Sequence, residues 1–101
     1  MNDEIVDILG RVPKFPLGKL VATTNATDQI PGHEITDGLL RHIDCDWGDV
    51  DPEKRVRNNV ALMEGSRLLS VYQTEDGEKF WIITEADRSA TTILLPEDYP
   101  L

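Results

Sequence analysis

Arg67-Leu68-Leu69-Ser70-Val71-Tyr72-Gln73, the turn Thr74-Glu75-Asp76-Gly77-Glu78, and Lys79-Phe80-Trp81-Ile82-Ile83-Thr84 form the stretch whose reading decides the fold. Two runs rich in β-branched and aromatic residues flank an Asp-Gly pair, the pattern of a β-hairpin. A third run, Thr91 to Leu95, follows the loop Ala86-Asp87-Arg88-Ser89 and is stopped by Pro96. The three runs therefore predict an antiparallel meander. Alternation puts Trp81 and Ile83 on one face of its middle strand and Phe80 and Ile82 on the other. Both faces are apolar, so this strand is either covered on both sides or keeps one face for a partner or a second copy of the chain. Closure of the hairpin at Thr74 and Glu78 sets Arg67 opposite Glu85 as a cross-strand ion pair.

Upstream of the meander lies the clearest helix signal. Asp51 is a good N-cap, Pro52 suits the first helical position, and Glu53 favours the positive end of the helix dipole. Val56, Val60 and Met63 make the apolar stripe expected to face the core, and Gly65 ends the helix. Before it, the Pro31-Gly32 pair is followed by Ile35, Leu39 and Ile43. This is an amphipathic helix from about Glu34 to Ile43, weakened by Gly38. Asn25 to Gln29 holds one helical turn, and Leu20 to Thr23 reads as a short strand. Residues 1–17 form an N-terminal arm in which Ile5, Ile8, Leu9 and Val12 are spaced as one short helix, broken by Gly10, Pro13 and Pro16. The expectation is a single α+β domain over residues 18–101. It combines a small antiparallel sheet, made of the three-strand C-terminal meander and a short N-terminal strand, with two main helices packed on one face.

The chain has 101 residues, 19 acidic and 10 basic, for a formal net charge of −9. That balance argues against direct binding to nucleic acid phosphates or anionic membranes. A single cysteine, Cys45, excludes an intramolecular disulfide and fits a reducing cytoplasm. The N-terminus is acidic where a signal peptide is basic, and no apolar run approaches the roughly 20 residues needed to span a bilayer.

Gly18-Lys19-Leu20-Val21-Ala22-Thr23, Trp47-Gly48-Asp49 and above all Trp81-Ile82-Ile83-Thr84-Glu85-Ala86-Asp87-Arg88-Ser89, continuing through Thr91-Thr92-Ile93-Leu94-Leu95-Pro96 to Tyr99, carry a resemblance. On these residues the chain resembles a family of small uncharacterised proteins carried on bacterial plasmids, phages and other mobile elements. The resemblance covers about four-fifths of the chain, leaving out the arm. It implies carriage on a mobile element and supplies neither an activity nor catalytic residues.

Several groups of residues invite a chemical reading. Asp44, Asp46, Asp49 and Asp51 cluster, but the spacing fails the EF-hand pattern, which needs Gly at loop position 6 and Glu at 12. Asp51 is instead assigned to helix capping and the others to a solvated turn. His33, His42 and Cys45 lack the third ligand that a zinc site requires, so no metal and no cofactor is expected. Glu85, Asp87 and Arg88 are the weak catalytic candidates, as paired carboxylates beside an arginine. The same residues serve equally as a polar recognition site, with Arg88 gripping an anion, or as turn-fixing structure. Trp47, Asp46 and Asp49 join them as candidate binding residues, with Trp47 read as a plug that holds its acidic loop down. An enzyme built on these residues requires the Trp47 loop and the Glu85–Ser89 loop to converge on one concave pocket. No phosphate-cradling motif is present. The functional expectation is a small acidic non-enzymatic accessory protein that binds a protein partner, with inhibition of a nucleic-acid-binding defence system as its sharpest form. The alternatives are a small enzyme or the acidic component of a toxin–antitoxin pair.

Overall fold

A computed structural model describes residues 13–100, so the short helix expected near Ile5 to Val12 lies outside the described residues. The order is β1 (Lys19–Ala22), α1 (Thr24–Gln29), α2 (Gly32–Ile43), α3 (Pro52–Glu64), β2 (Leu68–Gln73), β3 (Lys79–Thr84), β4 (Ala90–Leu94) and a final 3-10 turn, Pro96–Asp98. This is an α+β fold with one four-stranded sheet in the order β1-β4-β3-β2. The meander forms as its sequence predicts. Leu68 pairs with Thr84 and Gln73 with Lys79, while Trp81 pairs with Leu94. That register brings Arg67 Nη2 to 3.2 Å from Glu85 Oε1.

Two expectations need correction. The sheet is mixed, not antiparallel: β1 runs parallel to β4, with Lys19 opposite Ala90 and Ala22 opposite Ile93. Where β1 joins is decided at the other end of the sheet. The outer edge of β2 is already occupied, because Asn58 bonds both backbone groups of Leu69 and the Trp47–Asp49 segment bonds Val71. The edge of β4 is the one left for β1.

The second correction concerns α3. Its caps are as expected: the Asp51 side chain accepts from the Lys54 amide, and Gly65 closes the helix at φ 78°. Yet Val56, Val60 and Met63 point to solvent, at 62%, 45% and 88% exposure, while Asn58 and Ala61 are buried. Hydrophobic periodicity gave the helix correctly and its orientation backwards. The pair of hydrogen bonds from Asn58 to the sheet edge overrides the apolar stripe, since an uncovered β edge leaves buried polar groups unpaired.

The helices pack on the sheet face that carries Tyr72, Phe80, Ile82 and Ile93. Ala26 of α1 and Leu39 of α2 meet these residues in one cluster. Gly38 permits the close approach, because a Cβ there would lie 3.0 Å from the Phe80 ring. A second cluster joins Ile43, Trp47, Val50, Ala61 and Leu68 to Phe15 and Leu17. The end of the N-terminal arm is therefore core. On the opposite face Ile83 and Leu94 are also buried, and Tyr99 packs edge-on against Trp81 with ring centroids 5.7 Å apart. The middle strand is covered on both sides. Asp98 anchors the C-terminal segment: its carboxylate accepts from Thr23 Oγ1 and Asn25 Nδ2, both at 2.7 Å.

Candidate functional site

The acidic loop between α2 and α3 is held down as its composition predicts. Trp47 is 2% exposed, and its indole Nε1 donates to Asn59 Oδ1 at 3.0 Å. Asp46 receives Arg41 Nε at 2.8 Å, and this hydrogen bond keeps its carboxyl below the usual carboxylate range. The loop crosses the sheet edge at Gly48, where φ is 76° and a Cβ would lie 2.0 Å from the Val71 carbonyl oxygen. Only glycine fits there. Asp49 is exposed, and its amide donates to Val71 O at 2.7 Å.

The Glu85–Ser89 loop is built from its own polar groups. Asp87 accepts from the Ser89 amide, fixing the turn, and Glu85 faces Arg67. Arg88 takes φ 61° and donates to four backbone carbonyls, those of Ser66, Glu85, Ala86 and Ala61. Its guanidinium thus ties the end of α3 to the β3–β4 loop. Between this loop and Trp47 sits Phe15. Its ring stacks on Trp47 at 6.3 Å, and the Arg88 guanidinium carbon lies 6.0 Å above it. The two loops lie on one side of the molecule, but Phe15 fills the space between them. Sequence spacing carried no signal for this, since Phe15 belongs to a segment read as an appendage.

Beneath Phe15 lies a buried polar chain that linear spacing also concealed. His42 Nδ1 is 2.6 Å from Ser70 Oγ, and its Nε2 is 2.9 Å from Thr84 Oγ1. Thr84 Oγ1 is 2.8 Å from Thr91 Oγ1, and Thr91 donates to Leu17 O at 2.8 Å. A carbonyl only accepts, so the chain has one consistent direction. Thr91 accepts from Thr84, Thr84 accepts from His42 Nε2–H, and Ser70 donates to Nδ1. His42 is neutral in this arrangement. Desolvation, reinforced by the charge of Arg88, pushes its pKa down to about 3. A serine on an imidazole resembles a nucleophile–base pair. Here both residues have no exposed surface, and the second ring nitrogen meets a hydroxyl rather than a carboxylate. The arrangement satisfies buried polar groups and offers no contact to substrate.

Among the described residues, two surface depressions are formed. One, of about 250 Å³, is lined by Glu34, Asp37, Arg41 and Tyr72 among others. The Arg41 guanidinium lies 4.7 Å over the Tyr72 ring there. The other, of about 240 Å³, is lined by Lys54, Arg57, Asn58, Arg67 and Leu69. None of the sequence candidates Trp47, Asp46, Asp49, Glu85, Asp87 or Arg88 lines either one. Among the described residues no three His, Cys, Asp or Glu side chains gather as a metal site, and no helix is long and apolar enough to cross a membrane. Compared with known proteins, the chain matches no family model, no curated protein and no solved structure.

Proposed function

We propose that this chain is a small acidic binding protein that works by docking onto a protein partner through the outer face of α3. The observation that carries this reading is the inverted helix: Val56, Val60 and Met63 face solvent while Asn58 faces the sheet. An apolar row on a helix, bordered by charged side chains such as Glu53 and Arg57, is the surface used in helix-to-groove recognition. The polar groups of the Glu85–Ser89 loop meanwhile serve the fold. The setting in which we place the protein is a bacterial cytoplasm, as an accessory factor of a mobile element. That part rests on the resemblance of the Trp81–Pro96 run and on the single cysteine.

Affinity capture with the wild type and with the double variant V56E/V60E tests the reading. Both positions are exposed, so the variant folds with an unchanged melting temperature. The wild type is expected to retain a partner that the variant loses. Equal capture by both would end the proposal.

A second reading is inhibition of a nucleic-acid-binding partner. Glu34 Oε1 accepts from the Glu75 amide at 3.0 Å, which joins the acids of α2 to those of the β2–β3 turn at one end of the molecule. Association with a basic groove there would be faster at low salt. Salt-insensitive association rates would remove this role and leave the docking reading intact.

A further inference from the structure

The depression between α3 and the start of β2 gathers three cations on a protein of net charge −9. Lys54 and Arg57 stand three residues apart on one helical face, and Arg67 comes from the chain entering β2. Asn58 fixes their spacing: its amide donates to Leu69 O at 2.8 Å and accepts from Leu69 N at 3.1 Å. The floor is therefore rigid, with the Leu69 side chain as an apolar patch. We propose that this depression is a binding site for the phosphate group of a small phosphate monoester.

The charges decide the ligand class. Arg67 is oriented by Tyr99 Oη at 2.9 Å and by Glu85 at 3.2 Å, which leaves further guanidinium N–H groups for an oxyanion. Arg57 has only a loose, exposed contact to Glu53 at 3.5 Å, and Lys54 has no ion-pair partner among the described residues. A dianion therefore meets one cation with no ion pair among the described residues and two whose carboxylate neighbours are exchangeable, a better match than a single carboxylate. Arginine forks suit phosphate oxygens in particular. The rest of the acidic surface does not forbid this. At physiological salt, screening sets in over about 8 Å, and the protein measures 34 × 32 × 23 Å, so carboxylates at its far end are largely screened, while Glu53 and Glu85 are the acids the ligand must compete with. A nucleic acid strand is a different case, because its further phosphates would run over that acidic surface. The volume of about 240 Å³ likewise suits a small ligand.

The test is a titration of the isotopically labelled protein, followed by amide NMR shifts at constant ionic strength. Inorganic phosphate, O-phosphoserine and acetate are the probes. Saturating shifts at Arg57, Asn58 and Leu69 are expected with both phosphate probes, with acetate weaker by about tenfold. Lys54→Gln and Arg57→Gln each weaken binding by roughly threefold to tenfold, and both positions are exposed, so the fold is retained. Glu85→Gln releases Arg67 from its competitor and tightens binding by a few fold, which a merely structural Arg67 would not show. The proposal is overturned if the shifts do not saturate, if chloride reproduces them, or if the K54Q/R57Q double variant titrates like the wild type.

Discussion

Asn58 stands beside Leu69 as a strand neighbour would, giving one hydrogen bond to its carbonyl and taking one from its amide. This side chain pairs the edge of β2 at Leu69, as the Trp47–Asp49 segment does at Val71, and the helix that carries it is turned accordingly. Asn58→Ala leaves both Leu69 groups without a partner. Each unpaired buried group costs about 1–3 kcal/mol, so the variant is expected to lose at least ~2 kcal/mol. For a chain this size that lowers the melting temperature by roughly 8–16 °C. Asn58→Asp keeps the acceptor but sets a buried carboxylate oxygen against the Leu69 carbonyl, so its loss at neutral pH is expected to exceed that of Asn58→Ala. Differential scanning calorimetry of the two variants ranks them, and equal stability of wild type and Asn58→Ala would show that the edge is satisfied otherwise.

His42 gives the protein a pH dependence with a defined sign. Its folded pKa, about 3, lies below the unfolded value near 6.5. Between these values the unfolded state binds a proton that the folded state refuses. Stability is therefore full above pH 6.5 and falls as the pH drops toward 3. The carboxylates of Asp46, Asp87 and Asp98 are also held low, by Arg41, by Ser89 and by Thr23 with Asn25. They act only below their unfolded value of about 4. Among the described residues, the window from pH 6.5 to 4 thus belongs to His42. Urea denaturation across it is expected to show a fall of up to about 1.4 kcal/mol per pH unit. His42→Gln flattens that slope while lowering stability at pH 7.5.

Gly38→Ala sets helix propensity against packing. The substitution brings a gain of up to ~1 kcal/mol in an ordinary helix. Here the new Cβ meets two Phe80 ring atoms at 3.0 Å and Tyr72 at 3.2 Å. Both rings are buried and in contact with each other, 5.7 Å between centroids, so neither yields cheaply. Overpacking costs about 1–3 kcal/mol, and a net destabilisation is expected in chemical denaturation. An increase in stability would mean that the sheet and α2 separate more easily than this contact implies.

Arg88→Lys tests whether the guanidinium is structural. An ammonium keeps the charge but does not span the carbonyls of Ser66, Glu85, Ala86 and Ala61 in one plane. A loss of about 1–2 kcal/mol is expected, together with faster amide exchange at the end of α3. Exchange confined to the β3–β4 loop would assign Arg88 to the turn alone.

Much of the architecture is legible in local sequence. The Asp76-Gly77 turn, the alternation through Phe80 to Ile83, the Asp51-Pro52 helix start and the Gly65 stop each determine one element, because propensity, capping and turn chemistry act within a few residues. The Arg67–Glu85 pair follows from register in the same way. Trp47 as a plug and Asp87 as a turn residue were readable for the same reason.

Three features needed the tertiary structure. Which side of α3 faces the sheet was decided by the unpaired edge of β2, a demand that arises only once the sheet exists. The placement of β1 beside β4 followed from the same edge being taken. The His42 chain joins side chains 28 and 42 residues apart with the Leu17 carbonyl, and no local pattern encodes such a distance. For α3 and His42 a backbone or imidazole group required a hydrogen-bond partner, and in α3 satisfying it outweighed the burial of Val56, Val60 and Met63.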